Sequence, residues 1–182
     1  MAHINVPEGV PGIRSLVMFR PETGKHLYKL AQVLLREDSP LTPADRELIA
    51  AYVSHRNNCM FCRNSHAAAA RYLYHEAAPV VDAVFLDMQH APVNEKLKAL
   101  LNIAGKVQIS GKAVTTDDIE TARQLGAGDR EIHDTVLIAA AFCMFNRYVD
   151  GLASFAPTNA DEYAEMGKRM VEKGYVLPVQ PG

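Results

Sequence analysis

Cys59 and Cys62 stand three residues apart in the stretch "RNNCMFCRNSH", and His66 follows four residues later. Three and four residues of α-helix are about 300° and about 400° of rotation, so in a helix the three side chains share one face. Two thiols at this spacing can close a small disulfide without unfolding anything. At a helix start, free N–H groups and the positive end of the dipole favour the thiolate, which is the form that attacks. An imidazole one turn further on can take or relay the thiol proton. Glu47 precedes this stretch. If residues 43–56 and 59–75 form a helical hairpin turning near Asn57, its carboxylate comes within reach of His66 and can orient the ring, directly or through one water.

The same residue types allow other chemistry. A structural zinc ion wants four ligands; Cys59, Cys62 and His66 supply three, and Glu47 a fourth. Two inert core cysteines beside a surface histidine is the plainest alternative. Cys59, Cys62, His66 and Glu47 are therefore the catalytic candidates, and no residue is assigned to a metal or a cofactor. No haem, flavin or nicotinamide motif is visible, so electrons are expected to pass through the two thiols. Cys143 has no thiol neighbour in sequence and lies in an apolar stretch, which marks a core cysteine. His55, nearest to the motif of the other histidines, reads as a surface residue at a helix end.

The bulk numbers bound the setting for this chemistry. The chain has 182 residues, of which 48% are hydrophobic, enough for one domain, 1–182, with a sizeable core. A formal charge of −2 and a pI near 6.4 leave no basic footprint for nucleic acid. Charges of both signs are interspersed, against a membrane-surface role. No apolar run is long enough to span a bilayer, and "APVVDAVFLDM" is short and broken by Asp82 and Asp87, so no membrane span is expected. "MAHINVPEGVPG" lacks the charged start and apolar block of a secretory signal. Three cysteines, two of them adjacent in the motif, do not make a secreted disulfide framework. A cytoplasmic protein with reduced thiols is expected.

The elements that must hold the motif read as helices throughout. Pro7, Pro11 and Pro21 make residues 1–21 an extended N-terminal segment. "ETGKHLYKLAQVLLRED" carries Leu27, Leu30, Ala31, Leu34 and Leu35 at helical spacing. Thr42 caps the next helix, Pro43 suits its first position, and Asp45 completes a T-x-x-D box. Asn57 or Asn58 then caps a second helix running from Cys59 to about His75, so that residues 42–75 form the hairpin of the motif. Further helices follow around residues 79–87, in "VNEKLKALLNIAGKVQIS", in "TTDDIETARQLGAG" and in "TNADEYAEMGKRMVEKGY". Residues 128–156 are apolar on most sides and read as a buried central helix. No strand pattern is present, so the fold class is all-α. The apolar stretches "APVVDAVFLDM" and "YVLPV" exceed what one small bundle buries and point to a homo-oligomer.

The sequence also echoes itself. "DREL" at 45–48 followed by "CMFCR" at 59–63 returns, without a gap, as "DREI" at 129–132 followed by "CMFNR" at 143–147. This register sets Glu131 against Glu47, Cys143 against Cys59, Asn146 against Cys62 and Asp150 against His66. A duplicated helical hairpin is the preferred reading. In it the second copy keeps packing alone, with Arg147 ion-paired to Asp150 or Glu131.

Glu47, Cys59, Cys62 and His66, read as E-x11-C-x-x-C-x-x-x-H, resemble the active-site signature of AhpD-like alkylhydroperoxidases in the carboxymuconolactone decarboxylase superfamily. "PGIRSLVMFRPETGKHL", "LTPADRELIAAYVSHRNNCMFCRNSHAAAA" and "GAGDREIHDTVLIAAAFCMFNRYVDGLA" are similar to the peroxidase-related branch. The resemblance implies a multihelical AhpD-like bundle and a homo-oligomer, with trimers or hexamers favoured. It implies peroxidase activity: a hydroperoxide oxidises Cys62 to a sulfenic acid, Cys59 resolves it as a disulfide, and Glu47 with His66 relays the proton. A thiol reductant or adaptor protein would then restore the dithiol. Where some AhpD proteins carry a histidine just before the second cysteine, this chain has Phe61, which removes one relay member and makes the pocket more apolar. The superfamily also holds lactone decarboxylases that work without the dithiol, so a lyase is the rival enzyme reading; a metal-binding or structural oligomer is the non-enzymatic one.

Overall fold

The structure is a computed structural model that describes residues 2–177. Among these residues there are nine α-helices and no strand: α1 (Ile13–Phe19), α2 (Pro21–Arg36), α3 (Pro43–Arg56), α4 (Met60–Tyr74), α5 (Val80–Leu86), α6 (Glu95–Ile109), α7 (Thr116–Gln124), α8 (Asp129–Gly151) and α9 (Ala160–Lys173). The all-α class read from the sequence is therefore correct. Two single 3-10 turns, at His75–Ala77 and Gly111–Ala113, join helices. Among the described residues no helix is long and apolar enough to cross a membrane.

Helix α3 is the axis of the bundle. Ten of its fourteen residues are buried, including Arg46 and Glu47. Helices α4, α6 and α8 surround it, and α9 closes over the far side of α4. Leu48, Ile49, Val53, Leu100, Leu101, Ile103 and Phe142 fill the main core with almost no exposed surface. A smaller apolar cluster, with Leu16, Cys59, Phe61, Cys62, Tyr163, Met166 and Met170, lies between α4, α9 and α1.

The helix starts obey local chemistry. Thr42 accepts the Asp45 N–H at the start of α3, as the T-x-x-D pattern predicts. Thr115 and Asp118 form a capping box at α7, and Asn94 and Asn159 cap α6 and α9. Helix α3 runs antiparallel to α4: at the open end of the hairpin the Tyr74 hydroxyl donates to Asp45 at 2.7 Å.

Two expectations need correction. Residues 1–21 are not extended throughout, because Ile13–Phe19 is helical. Pro11 lies before that helix and restricts only the chain leading into it, and Pro21 ends it by holding Arg20 at φ −133°, ψ 81°, outside the helical region. The segment 128–156 is not one buried central helix. Helix α8 stops at Gly151, where Ala153 turns to φ 48°, and it buries ten of its 23 residues, leaving Leu137 and Met144 exposed. The central helix is α3 instead. Of the apolar stretches, "APVVDAVFLDM" turns Val80, Val81 and Val84 into the core and leaves Leu86 89% exposed. In "YVLPV", Pro178 and Val179 lie outside the described residues.

Helix α9 reaches α4 at a glycine. A Cβ on Gly167 would sit 2.6 Å from the Ala68 carbonyl carbon and 2.7 Å from the Ala69 nitrogen, which are backbone atoms that cannot rotate away. The expected cost of Gly167→Ala is about 1–3 kcal/mol, the range for forced overpacking. Gly151→Ala, where a Cβ meets open space, is expected to be neutral or slightly stabilising. Urea midpoints of the two variants check this. An unshifted midpoint for Gly167→Ala would mean that the α4–α9 contact is looser than its geometry.

Candidate active site

The turn between α3 and α4 sets the two thiols in different surroundings. Asn57 and Asn58 do not cap α4, as the sequence reading had it; they end α3. Asn58 takes the left-handed conformation at φ 57°. Its N–H bonds the His55 carbonyl, and the Cys59 N–H bonds the Ser54 carbonyl, each at 3.0 Å. This is a Schellman ending with Asn in the glycine position. The Asn57 amide anchors the turn, donating to Asn146 and accepting from Gln108, both at 2.8 Å. Cys59 thereby becomes the extended N-cap residue of α4, outside the helix, and Cys62 falls in its first turn.

Glu47 is wholly buried, and its carboxylate is the meeting point of four segments. Oε2 lies 2.7 Å from His66 Nδ1 on α4. Oε1 accepts from Arg36 Nη2 at the end of α2 and from the Tyr175 hydroxyl beyond α9, each at 2.6 Å. Burial pushes the carboxyl pKa up, but the charge and hydrogen bond of His66, with Arg36 and Tyr175, outweigh it and hold it below the ordinary value. Tyr175 is pushed well above its ordinary pKa by burial and by the Glu47 charge, so it stays a neutral donor. Its ring lies 6.2 Å from the His66 ring, near parallel, and Phe142 packs edge-on against His66 at 4.5 Å. The imidazole is thus clamped between two aromatic rings, with Nδ1 committed to Glu47 and Nε2 left for the other side.

That side is a cavity of about 60 Å³. Cys62, Ser65 and His66 form part of its wall, among apolar residues such as Phe142, Phe145 and Met170. Cys59 does not line it and has no exposed surface. Cys59 and Cys62 are both free thiols. The expectation that the helix start favours the thiolate fails for Cys59. A hydrogen bond to Cys62, then burial, push the Cys59 thiol up.

The structure brings Cys62, His66 and Glu47 into one continuous arrangement and places Cys59 behind Cys62. Arg36 and Tyr175 complete it, and sequence reasoning missed both. Arg36 had no signal beyond lying at a helix end. Tyr175 was seen only as part of an apolar stretch, although it follows a glycine. Gly174 holds φ 69° and a Cβ there would meet Gln32 Oε1 at 2.6 Å; this turn lets the Tyr175 N–H bond Gln32 and its ring dive inward. Among the described residues no group of three His, Cys, Asp or Glu side chains is arranged to hold a metal ion.

The second half of the sequence echo does different work. Glu131 accepts from the Gly128 N–H at 2.8 Å and from Lys96 at 2.7 Å, closing the start of α8. Arg147 forms neither expected ion pair and donates instead to the Cys143 carbonyl. Cys143 is half-buried rather than in the core, 3.7 Å from the Asn57 amide nitrogen. His55 stacks on Phe85 at 4.6 Å instead of standing free at the surface.

This arrangement has known counterparts. The family model for the carboxymuconolactone decarboxylase family matches residues 21–104, which span α2 to α6 and include all four motif residues. No curated protein matches the chain. Among solved structures, an uncharacterized peroxidase-related protein from Ralstonia eutropha JMP134, described as an alkylhydroperoxidase AhpD core, superposes with a TM-score of 0.79 at 25% identity, covering 92% of this chain and 96% of its own. An uncharacterized peroxidase-related protein from Silicibacter sp. TM1040 gives 0.76 at 26% identity over 85% and 79%. A protein of unknown function from Agrobacterium tumefaciens shares the fold, with a TM-score of 0.68 at 23% identity over 87% and 100%. With the family model lying over the motif and the whole bundle superposing on an AhpD core and a second peroxidase-related structure, the chain has the AhpD-like fold and is similar to the carboxymuconolactone decarboxylase family across residues 21–104.

Proposed function

We propose that this protein is a peroxidase that reduces organic hydroperoxides with Cys62 and Cys59, Glu47 and His66 serving as the proton relay. The observation that carries the reading is that Cys62 and His66 share the wall of one cavity while His66 Nδ1 is held by the buried Glu47 carboxylate. Nδ1–H donates to Glu47, so Nε2 carries the lone pair that takes the Cys62 proton. The Cys62 thiolate attacks the outer peroxide oxygen. The O–O bond breaks, the sulfur becomes a sulfenic acid, and the alkoxide leaves as an alcohol with the proton held on His66. The Cys59 thiol then attacks the Cys62 sulfur; a disulfide forms and water leaves. A thiol reductant returns two electrons and two protons. Cys59, with its raised pKa, stays protonated until Cys62 is oxidised, which suits a resolving thiol. The cycle needs a reducing compartment, and the cytoplasm is the proposed setting.

Peroxide treatment of Cys59→Ser followed by dimedone is expected to label Cys62, and the wild-type chain is expected to form the Cys59–Cys62 disulfide, both read by mass spectrometry. Label confined to Cys143, or hydroperoxide turnover that survives loss of both motif thiols, would sink the dithiol mechanism and favour the lyase chemistry of the superfamily.

Glu47→Gln and His66→Gln are each expected to lower hydroperoxide turnover by roughly 10²-fold, the scale of a lost proton-transfer group. Glu47 also links to acid stability. Its folded pKa lies below the unfolded one, so its contribution is present above the ordinary carboxylate range and fades as pH falls through the lowered value. Denaturation midpoints against pH are expected to fall less steeply on the acid side in Glu47→Gln than in the wild type. Unaltered turnover of the folded variants would remove both residues from the relay.

We also propose a homo-oligomer, a trimer or hexamer. Leu86 and Ile109 expose 89% and 67% of their surface and are side chains that such an assembly would cover. Light scattering at micromolar concentration is expected to give a multiple of the chain mass; a monomer would overturn the idea.

A further inference from the structure

Two arginines on the cavity wall have no counter-charge. Arg14 on α1 and Arg169 on α9 line the same cavity as Cys62 and His66, and no acidic side chain lines it with them. Each is half-buried. Neither makes a hydrogen bond or an ion pair with any described residue, and the Arg14 Nε is buried without a partner. The other two interior arginines have hydrogen-bond partners, although the Arg46 Nε is also buried without one. Arg36 donates to Glu47, Leu35 and Met170, and Arg46 donates to the Leu34 and Glu37 carbonyls. Asp161, Glu162, Glu165 and Glu172 share the groove outside the cavity with Arg14 and Arg169 but pair with neither. The two guanidiniums are close enough to repel, and Arg169 is lowered first by burial and then by Arg14.

Two like charges held half-buried beside an apolar cavity are costly unless an anion joins them. Guanidinium groups present planar donor pairs that match a carboxylate, and an apolar wall with few convergent polar groups is the usual form of a small-molecule site. The cavity volume of about 60 Å³ holds roughly four to six water-sized groups, room for the hydroperoxide end of a short chain whose carboxylate stays on the arginines, which also line the groove outside. Reactive thiol, apolar wall and arginine pair are parts of one enclosure. We infer that Arg14 and Arg169 form a carboxylate subsite, and that the substrate is a short-chain organic hydroperoxide carrying a carboxylate, bound with its carboxylate on the two arginines and its hydroperoxide toward Cys62. The substrate class rests on the peroxidase reading above; the subsite itself does not.

The test compares ω-hydroperoxyhexanoate with its uncharged methyl ester as substrates, and hexanoate with hexanol as unreactive probes by calorimetry. The full chain should prefer the acid over the ester by about 10-fold to 100-fold in kcat/KM, carried by KM, the worth of a charge-assisted contact. It should bind hexanoate and not hexanol. Arg14→Met and Arg169→Met should each shrink the acid-over-ester ratio and weaken hexanoate binding, while Arg14→Lys retains part of both. Should a Met variant fail to fold, the wild-type acid-to-ester ratio and hexanoate binding still decide the matter. Turnover of both peroxides with no preference, and no hexanoate binding, would overturn the subsite and leave the peroxidase reading standing. Arginine-dependent hexanoate binding with no turnover of either peroxide would uphold the subsite and overturn the peroxidase reading.

Discussion

The Glu47 carboxylate is the constraint on which the site depends. A carboxylate with no solvent exposure loses several kcal/mol of hydration unless other groups replace the water. Here the replacement comes from three directions: Arg36 ends α2, His66 sits in the middle of α4, and Tyr175 follows α9. Satisfying one charge fixes four segments relative to one another. It also explains why α3, rather than a more apolar helix, lies at the centre. The acid has to be reached from all sides, and only the helix in the middle allows that.

From this node the asymmetry of the two thiols follows. His66 is locked by Glu47 and by the Phe142 and Tyr175 rings, so its free nitrogen has one direction to face. Cys62, one turn earlier on the same helix, meets it at the cavity wall. Cys59 is held by the Schellman ending of α3, which takes it out of the helix and behind Cys62. The same C-x-x-C spacing therefore yields one thiol facing a cavity and one sealed thiol with a raised pKa. The Asn57–Asn146–Ser54 network keeps that turn in place by tying it to α8. Asn146, which the sequence echo sets against Cys62, thus supports the motif from the other copy of the pattern.

The motif was legible in the sequence because its chemistry is carried by rare residue types at helical spacing, and the all-α class because no stretch alternates like a strand. The T-x-x-D start of α3 was legible for the same local reason. What was not legible is set by burial. Arg46 and Glu47 sit in "ADREL", which looks like a solvated first turn, and nothing local distinguishes buried charges from exposed ones. Arg36 and Tyr175 are separated from Glu47 by 11 and 128 positions, so only the tertiary fold makes them partners. The misplacement of the α4 cap has a similar cause. Asn is favoured both before a helix and in the left-handed position after one, and only the Ser54 and His55 carbonyls decide which applies.

Phe61 gives the arrangement its chemical character. It stands where some AhpD proteins have a histidine between the cysteines, and it is buried in the apolar cluster beside Tyr163. With a ring that carries no proton in that place, the thiol side of the site depends on a single imidazole. A single imidazole must be held in one tautomer, and that is what the Glu47 carboxylate does. The carboxylate in turn needs Arg36 for its charge and Tyr175 for its second hydrogen bond. An apolar residue beside the proposed nucleophile and a polar cluster behind the proposed base are then two sides of one solution. In the proposed cycle the proton then has one route, through His66, beside a largely apolar wall on which a charge acts more strongly than in water.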